Sequence, residues 1–146
     1  MILSFDIGGT SVKMGLCDHH GTIHAKKEAS VSFDSYRTPI LDTVIREGKQ
    51  FLEEQKMPVE GIGISATGQI DDRHGVVIGT NGKIPHWEGS RLSDRASEAF
   101  QVQAYALNDA NAAVLGESFA GRAKGIANVI MLTLGTGVGG GMVLDG

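Results

Sequence analysis

Phe5-Asp6-Ile7-Gly8-Gly9-Thr10-Ser11-Val12-Lys13 decides how this chain is read. An aliphatic run ends in two glycines. Past Thr10, Val12, Met14 and Leu16 then alternate with Lys13, Gly15 and Cys17, which is the two-residue rhythm of a strand. The stretch is therefore strand, tight turn, strand. Glycine has no Cβ to hold off a ligand and tolerates φ > 0, so the backbone N–H groups of such a turn can approach a phosphate oxygen closely. It is not a GxxxxGK[ST] loop, and no helix follows it as one must follow a dinucleotide-binding GxGxxG.

A second stretch repeats the pattern near the other end, Leu134-Gly135-Thr136-Gly137-Val138-Gly139-Gly140-Gly141. Between the two lies Leu107-Asn108-Asp109-Ala110-Asn111. Two phosphate-sized turns and a carboxylate suggest phosphoryl transfer, which needs phosphate held in line and an acceptor hydroxyl oriented by a base. Asp109 suits the base: it ends an apolar strand and opens a helix, at a strand edge where open sheets place their clefts. A helix N-terminus also favours negative charge. The alternative is that Asn108 or Asp109 serves as a helix cap, since both are preferred there.

The rest of the chain supplies strands and helices in alternation. Met1 to Ile7, Ser11 to Cys17 and Thr22 to Val31 read as three antiparallel strands. Ile40, Leu41, Val44, Ile45, Phe51 and Leu52 recur at helical spacing, predicting a helix from about Arg37 to Lys56 with Pro39 near its start. Gly61 to Ser65 and Val76 to Ile78 read as short strands, Arg91 to Phe100 as a helix, Gln103 to Leu107 as a strand and Ala110 to Ala123 as a third helix. Val129 to Leu134 begins a hairpin that turns through Gly135 to Gly141 into Met142-Val143-Leu144. The predicted order is β-β-β-α-β-α-β-α, an α/β mixed sheet with helices on its faces, followed by a restart of the opening pattern.

Composition narrows the classes. The 146 residues suffice for one ordinary core, and 41% hydrophobic with 21% charged residues suits a globular chain. A net charge of -4 with dispersed basic residues argues against nucleic acid as a partner. No run of 18 apolar residues and no leader pattern is present, so no membrane partner and a cytoplasmic location are expected. The single cysteine, Cys17, can form neither an internal disulfide nor a structural zinc site by itself. Glycine, 21 residues and about twice the usual share, is spread over separate turns and so reflects backbone geometry.

The two glycine turns, taken with Asn108-Asp109-Ala110-Asn111-Ala112-Ala113-Val114-Leu115-Gly116-Glu117, resemble the ROK family of bacterial sugar kinases. The resemblance implies the duplicated ribonuclease-H-like fold shared by hexokinase, actin and the Hsp70 ATPase. Residues 1–124 would form the N-terminal lobe and 125–146 the start of a second one. It implies transfer of the ATP γ-phosphate to a hexose or amino-hexose hydroxyl, with Asp109 as general base and Asn108 on the sugar. Asp6 would help hold Mg²⁺, and Gly8, Gly9, Thr10, Lys13, Gly135, Thr136 and Gly137 would meet the nucleotide phosphates. Asp6 could also be a turn cap, and Lys13 a solvated strand residue.

Family members carry a Pro-Gly after the strand equivalent to Gly61–Ser65; here Thr67-Gly68 stands there, so Thr67 replaces the proline. Gly68 and Asn81, the latter in Asn81-Gly82-Lys83-Ile84-Pro85-His86-Trp87, would join Asn108 and Asp109 at the sugar. Asn amides donate and accept together, as a polyol requires. Asn81-Gly82 reads equally as a hairpin turn, and Trp87 more as a packed aromatic than a stacking platform. The family's zinc loop, further sugar-binding Glu residues and adenine lobe are absent from residues 1–146, so Zn²⁺ is expected only in a missing C-terminal part. This chain alone is expected to be inactive, and homodimerisation is compatible with the resemblance. The rivals are a ROK-type sugar-sensing regulator, disfavoured because the chain opens directly on a strand at Ile2, and a non-catalytic sugar-binding half-domain.

Overall fold

The computed structural model describes residues 1–80, 82, 84–135 and 137–146. Asn81, Lys83 and Thr136, singled out above, lie outside them.

The sheet grows from the alternation already visible in the opening residues. Leu3, Phe5 and Ile7 of β1 (Ile2–Ile7) are buried while Ser4 and Asp6 between them are not, so one face of the strand is apolar and the other polar. The same rhythm marks β2 (Ser11–Cys17), through Val12, Met14 and Leu16. With β3 (Ile23–Ser30) these strands form an antiparallel meander, and β4 (Gly61–Ala66) and β7 (Ala104–Asn108) add in parallel on the other side of β1. The order β3-β2-β1-β4-β7 is a five-stranded mixed sheet, as a ribonuclease-H-like unit requires.

The crossovers between the parallel strands carry α1 (Ile40–Gln55) and α2 (Leu92–Phe100), which bury Leu41, Val44, Phe51, Leu92 and Ala96 against the apolar face. At Gly48 of α1 a Cβ would stand 2.6 Å from Cζ of Phe5 and 2.9 Å from that of Phe100. A mid-helix glycine costs about 1 kcal/mol in propensity relative to alanine, and here it lets two aromatic rings meet the helix backbone. The helix α3 (Asp109–Ala120) lies on the opposite, polar face. It leaves a hollow of about 560 Å³ walled by Ser4, Gly63, Ser65, Tyr105 and its own Leu115.

Several details depart from the predicted elements, among them the start of α1 at Ile40 instead of about Arg37, with Pro39 just before the helix. Val76 to Ile78 does not stand alone: β6 (Val76–Gly79) pairs antiparallel with β5 (Gln69–Asp71), a three-residue strand too short to show a period. The third helix starts at Asp109 and stops at Ala120, because Asn108 caps it and Gly121 leaves helical geometry. Gly139, Gly140 and Gly141 belong to a strand instead of the turn: β8 (Val129–Leu134) pairs with β9 (Val138–Val143) as a separate two-stranded sheet. A Cβ on Gly141 would meet the Ala110 carbonyl oxygen at 2.7 Å and Cγ1 of Val114 at 2.8 Å, so these glycines let the hairpin lie directly on α3.

Candidate active site

The parallel strands end level with one another. Ile7 pairs with Ala66 and Ala66 with Asn108, so the residues that follow, Gly8, Thr67 and Asp109, come out at one edge of the sheet. That is the carboxyl edge at which open α/β sheets bind ligands. A cleft of about 970 Å³ lies there, with the β8–β9 hairpin forming its far wall. Gly8, Gly9, Gly68, Asn108, Asp109, Gly135 and Gly137 all line it, together with Thr67 and Trp87.

The first turn is closed by the Gly8 N–H donating to the Ser11 carbonyl at 3.0 Å. Neither Gly8 nor Gly9 uses the left-handed conformation that makes glycine exceptional; what they contribute is room. A Cβ on Gly8 would stand 3.3 Å from the Ser11 carbonyl oxygen, whereas one on Gly9 would only touch Ile84 at 3.4 Å. Gly68 is the reverse case. Its φ is +107°, and a Cβ would stand 2.8 Å from the Gly79 carbonyl oxygen, so only glycine fits.

Two side chains hold the Thr67-Gly68 turn. The indole N–H of Trp87 donates to the Thr67 carbonyl at 2.9 Å, and Nδ2 of Asn108 donates to that of Gly68 at 2.8 Å. Trp87 is buried, so it is a packed anchor whose edge reaches the cleft, as its sequence reading anticipated. Asn108 also caps α3: its Oδ1 accepts from the N–H groups of Ala110 at 3.0 Å and Asn111 at 3.3 Å. One amide thus ties the helix start to the neighbouring turn. Asp109, the first residue of α3, accepts from the Ala110 N–H through Oδ1 at 2.8 Å and is exposed to the cleft.

Asp6, Thr10 and Lys13 are placed differently. Strand alternation turns Asp6 to the polar face, where Ser65 donates to its Oδ1 at 3.0 Å and the Lys13 ammonium stands 3.9 Å from Oδ2. Asp6 and Lys13 line the hollow under α3, not the cleft of Asp109, and Thr10 lines neither. The pairing of Asp6 with both Lys13 and Ser65 follows directly from register. For a divalent cation the chain offers one exposed carboxylate here, which fits Mg²⁺ only where phosphate oxygens and water supply the remaining ligands. Among the described residues no group of three His, Cys, Asp or Glu side chains could hold a metal ion. No helix among them is long and apolar enough to cross a membrane.

Gln69, Thr80 and Thr133 also line the cleft and were not anticipated. Thr133 had a readable signal, since alternation along Val129–Leu134 places it beside the glycines. Gln69 and Thr80 had none, because they enter with the unpredicted β5–β6 ladder. Chemically the cleft offers one free carboxylate, amide and hydroxyl groups suited to a polyol, and two glycine turns open to a polyanion.

Known proteins resemble this chain in sequence and fold. A β-glucoside kinase of Listeria monocytogenes is 34% identical over 145 residues, covering 99% of this chain and 47% of its own length. The crystal structure of a ROK family glucokinase from Streptomyces griseus in complex with glucose and AMPPNP superimposes with a TM-score of 0.84 at 31% identity, over 99% of this chain and 44% of that one. A ROK family transcriptional regulator, a homologue of the E. coli MLC protein, has a TM-score of 0.83 over 99% of this chain and 36% of its own, but at 21% identity it attests the fold alone. The chain spans about half the length of the curated relatives it matches. The ROK family model matches residues 2–146, and the chain belongs to the ROK family.

Proposed function

We propose that this chain is the N-terminal lobe of an ATP-dependent sugar kinase, with residues 125–146 opening a second lobe. The acceptor is a hexose or amino-hexose hydroxyl. The observation that carries the reading is the convergence of Asp109, the Thr67-Gly68 turn and both glycine turns on one cleft. Kinases among its relatives support the activity class.

In this reading the sugar lies against Gly68, Asn108 and Asn81. Asp109 accepts the proton of the acceptor hydroxyl, whose oxygen attacks the γ-phosphorus as the bond to the β,γ-bridging oxygen breaks and ADP leaves. The proton then passes from Asp109 to water. In the turns at Gly8-Gly9-Thr10 and Gly135-Thr136-Gly137, the N–H groups not spent on closing the turn, as those of Gly8 and Gly135 are, would meet the phosphates. Mg²⁺ would neutralise charge on the phosphates; Asp6 and Lys13, which line the hollow under α3 and not the cleft, would act on it through water and at longer range. A cytoplasmic location and a homodimer belong to the same proposal, and the chain alone is expected to turn over little or nothing.

The test is sugar-dependent ADP formation by this chain together with whatever its reading frame adds after Gly146. Asp109→Asn should lower the rate about 100-fold or more, the usual worth of a general base. A variant that keeps more than about a tenth of the rate overturns the assignment, since a general base contributes far more than that. Sugar binding without turnover in the unsubstituted protein would favour a sensor or a non-catalytic binding half-domain.

A further inference from the structure

Residues 31–39, which join β3 to α1, do not line the cleft, yet they hold the carbonyl side of its first turn. The Val31 N–H donates to the Thr10 carbonyl at 2.9 Å, and the Ser30 and Ser32 hydroxyls approach the same oxygen at 3.4 and 3.5 Å. Next along the turn, the Tyr36 hydroxyl donates to the Gly9 carbonyl at 2.8 Å. Its ring packs against the core, so the hydroxyl is delivered from a fixed body.

The backbone that places it is unusual. Ser35 and Tyr36 are consecutive non-glycine residues at φ +58° and +63°. A single such residue is uncommon, and strain of this kind persists only where the surroundings impose it. Asp34 supplies part of that imposition, its Oδ2 accepting from the Thr38 N–H at 2.8 Å and the Thr38 hydroxyl at 2.6 Å.

A trans peptide points its C=O and N–H in opposite directions. Anchoring the Gly9 carbonyl on Tyr36 therefore turns the Thr10 N–H away from Tyr36 and the core. We infer that Tyr36 is a positioning residue for the first phosphate turn, fixing the Gly9–Thr10 peptide at the rim of the cleft, which Gly9 lines and Thr10 does not, so that its N–H is held ready for a nucleotide phosphate oxygen. This rests on the kinase reading above. It gives the β3–α1 segment a role in nucleotide affinity, although none of its side chains reaches the cleft.

Tyr36→Phe keeps the ring and removes only the donor. In the protein extended through its reading frame, it should raise the KM for ATP, and the Kd for AMPPNP with Mg²⁺ by calorimetry, about 10-fold, equivalent to about 1.4 kcal/mol. The sugar KM and the kcat at saturating ATP should stay within about twofold, since a lost uniform binding contact moves KM alone. Ser32→Ala, which removes only the long 3.5 Å contact, should leave all of these unchanged. An unchanged AMPPNP affinity overturns the inference. So does a parallel change in sugar KM and kcat, which would mark Tyr36 as a loop anchor only. Independently of any variant, AMPPNP should slow hydrogen exchange of the Thr10 amide, and unaltered exchange there also overturns it. An unsubstituted protein that forms no ADP with any sugar defeats the kinase reading itself, and the inference with it.

Discussion

The two glycine turns have nearly the same composition and very different support. Gly8-Gly9 joins two central strands of a five-stranded sheet, over a core of Phe5, Ile7, Phe51 and Leu92, with Tyr36 and Val31 fastened to its carbonyls. Gly135 and Gly137 join the strands of an isolated hairpin and are bridged by a Gly135 N–H donating to the Gly137 carbonyl at 2.9 Å. That hairpin rests on α3 by one face. On the other, the cross-strand pairs Ile130–Met142 and Leu134–Val138 stand exposed. Glycine content gives a turn access to a ligand, but the body behind it decides how rigidly that access is held.

The largest break in this contrast should come from Gly48→Val, which drives a side chain into the rings of Phe5 and Phe100 beneath the first turn. Overpacking at that contact should cost about 3 kcal/mol and lower Tm by roughly 10 °C in calorimetry. A Tm within about 2 °C of the unsubstituted chain would mean that the helix and sheet can separate there cheaply.

Gly141→Val should act on the other side of the comparison only. Its side chain would strike Ala110 and Val114, lifting the hairpin from α3 at a cost of about 2 kcal/mol. Hydrogen exchange should quicken across Val129–Val143 while Ile2–Ile7 and Gly61–Ala66 keep their protection. Uniform loss of protection would show that hairpin and sheet unfold as one unit.

Ile130→Lys with Leu134→Lys sharpens the contrast at smaller energetic cost. Both residues are exposed, so stability should change by less than about 0.5 kcal/mol. The open apolar face should drive self-association of this chain, and sedimentation velocity should show the double variant shifted toward monomer. An unchanged distribution would mean that this face does not drive association.

The smallest effect is a matter of pH. The Thr38 hydroxyl, and then the Thr38 and other backbone N–H groups, hold the Asp34 carboxyl below the ordinary range against a desolvation cost. A carboxylate depressed in the folded state stabilises above its unfolded value and loses that contribution as pH falls through its folded value. The β3–α1 segment should therefore be insensitive to pH near neutrality and loosen only in acid, below about pH 4. A carbon-13 titration of Asp34 would follow this, and Thr38→Val should move its midpoint up toward the ordinary value. An unmoved midpoint would remove Thr38 from the account.

Much of this was legible in the sequence, and the exceptions have physical causes. Alternation in Leu3-Ser4-Phe5-Asp6-Ile7 and helical spacing from Ile40 to Leu52 predicted the central strands and α1, because one buried face imposes one period. Asp109 could be placed at the cleft because it ends an apolar strand and opens a helix, whereas Gly68 was reached only through the family resemblance. Gln69-Ile70-Asp71 gave no strand signal in three residues. Gly139 to Gly141 read as turn because their reason for being in a strand, the approach of Ala110 and Val114, lies some thirty residues away. The same alternation that predicted β1 also puts Asp6 on the polar face, although motif position alone grouped it with Gly8 and Gly9. Nothing local announces Tyr36, whose partner Gly9 is met only once β3 has folded back beside β2.

The decisive assay is ADP formation from ATP and Mg²⁺ across a panel of hexoses and amino-hexoses, by this chain beside the same chain extended through its reading frame. Sugar-dependent turnover is expected in the extended protein, with one sugar dominant, and little or none in residues 1–146 alone. No turnover with any sugar in either form would contradict the kinase reading.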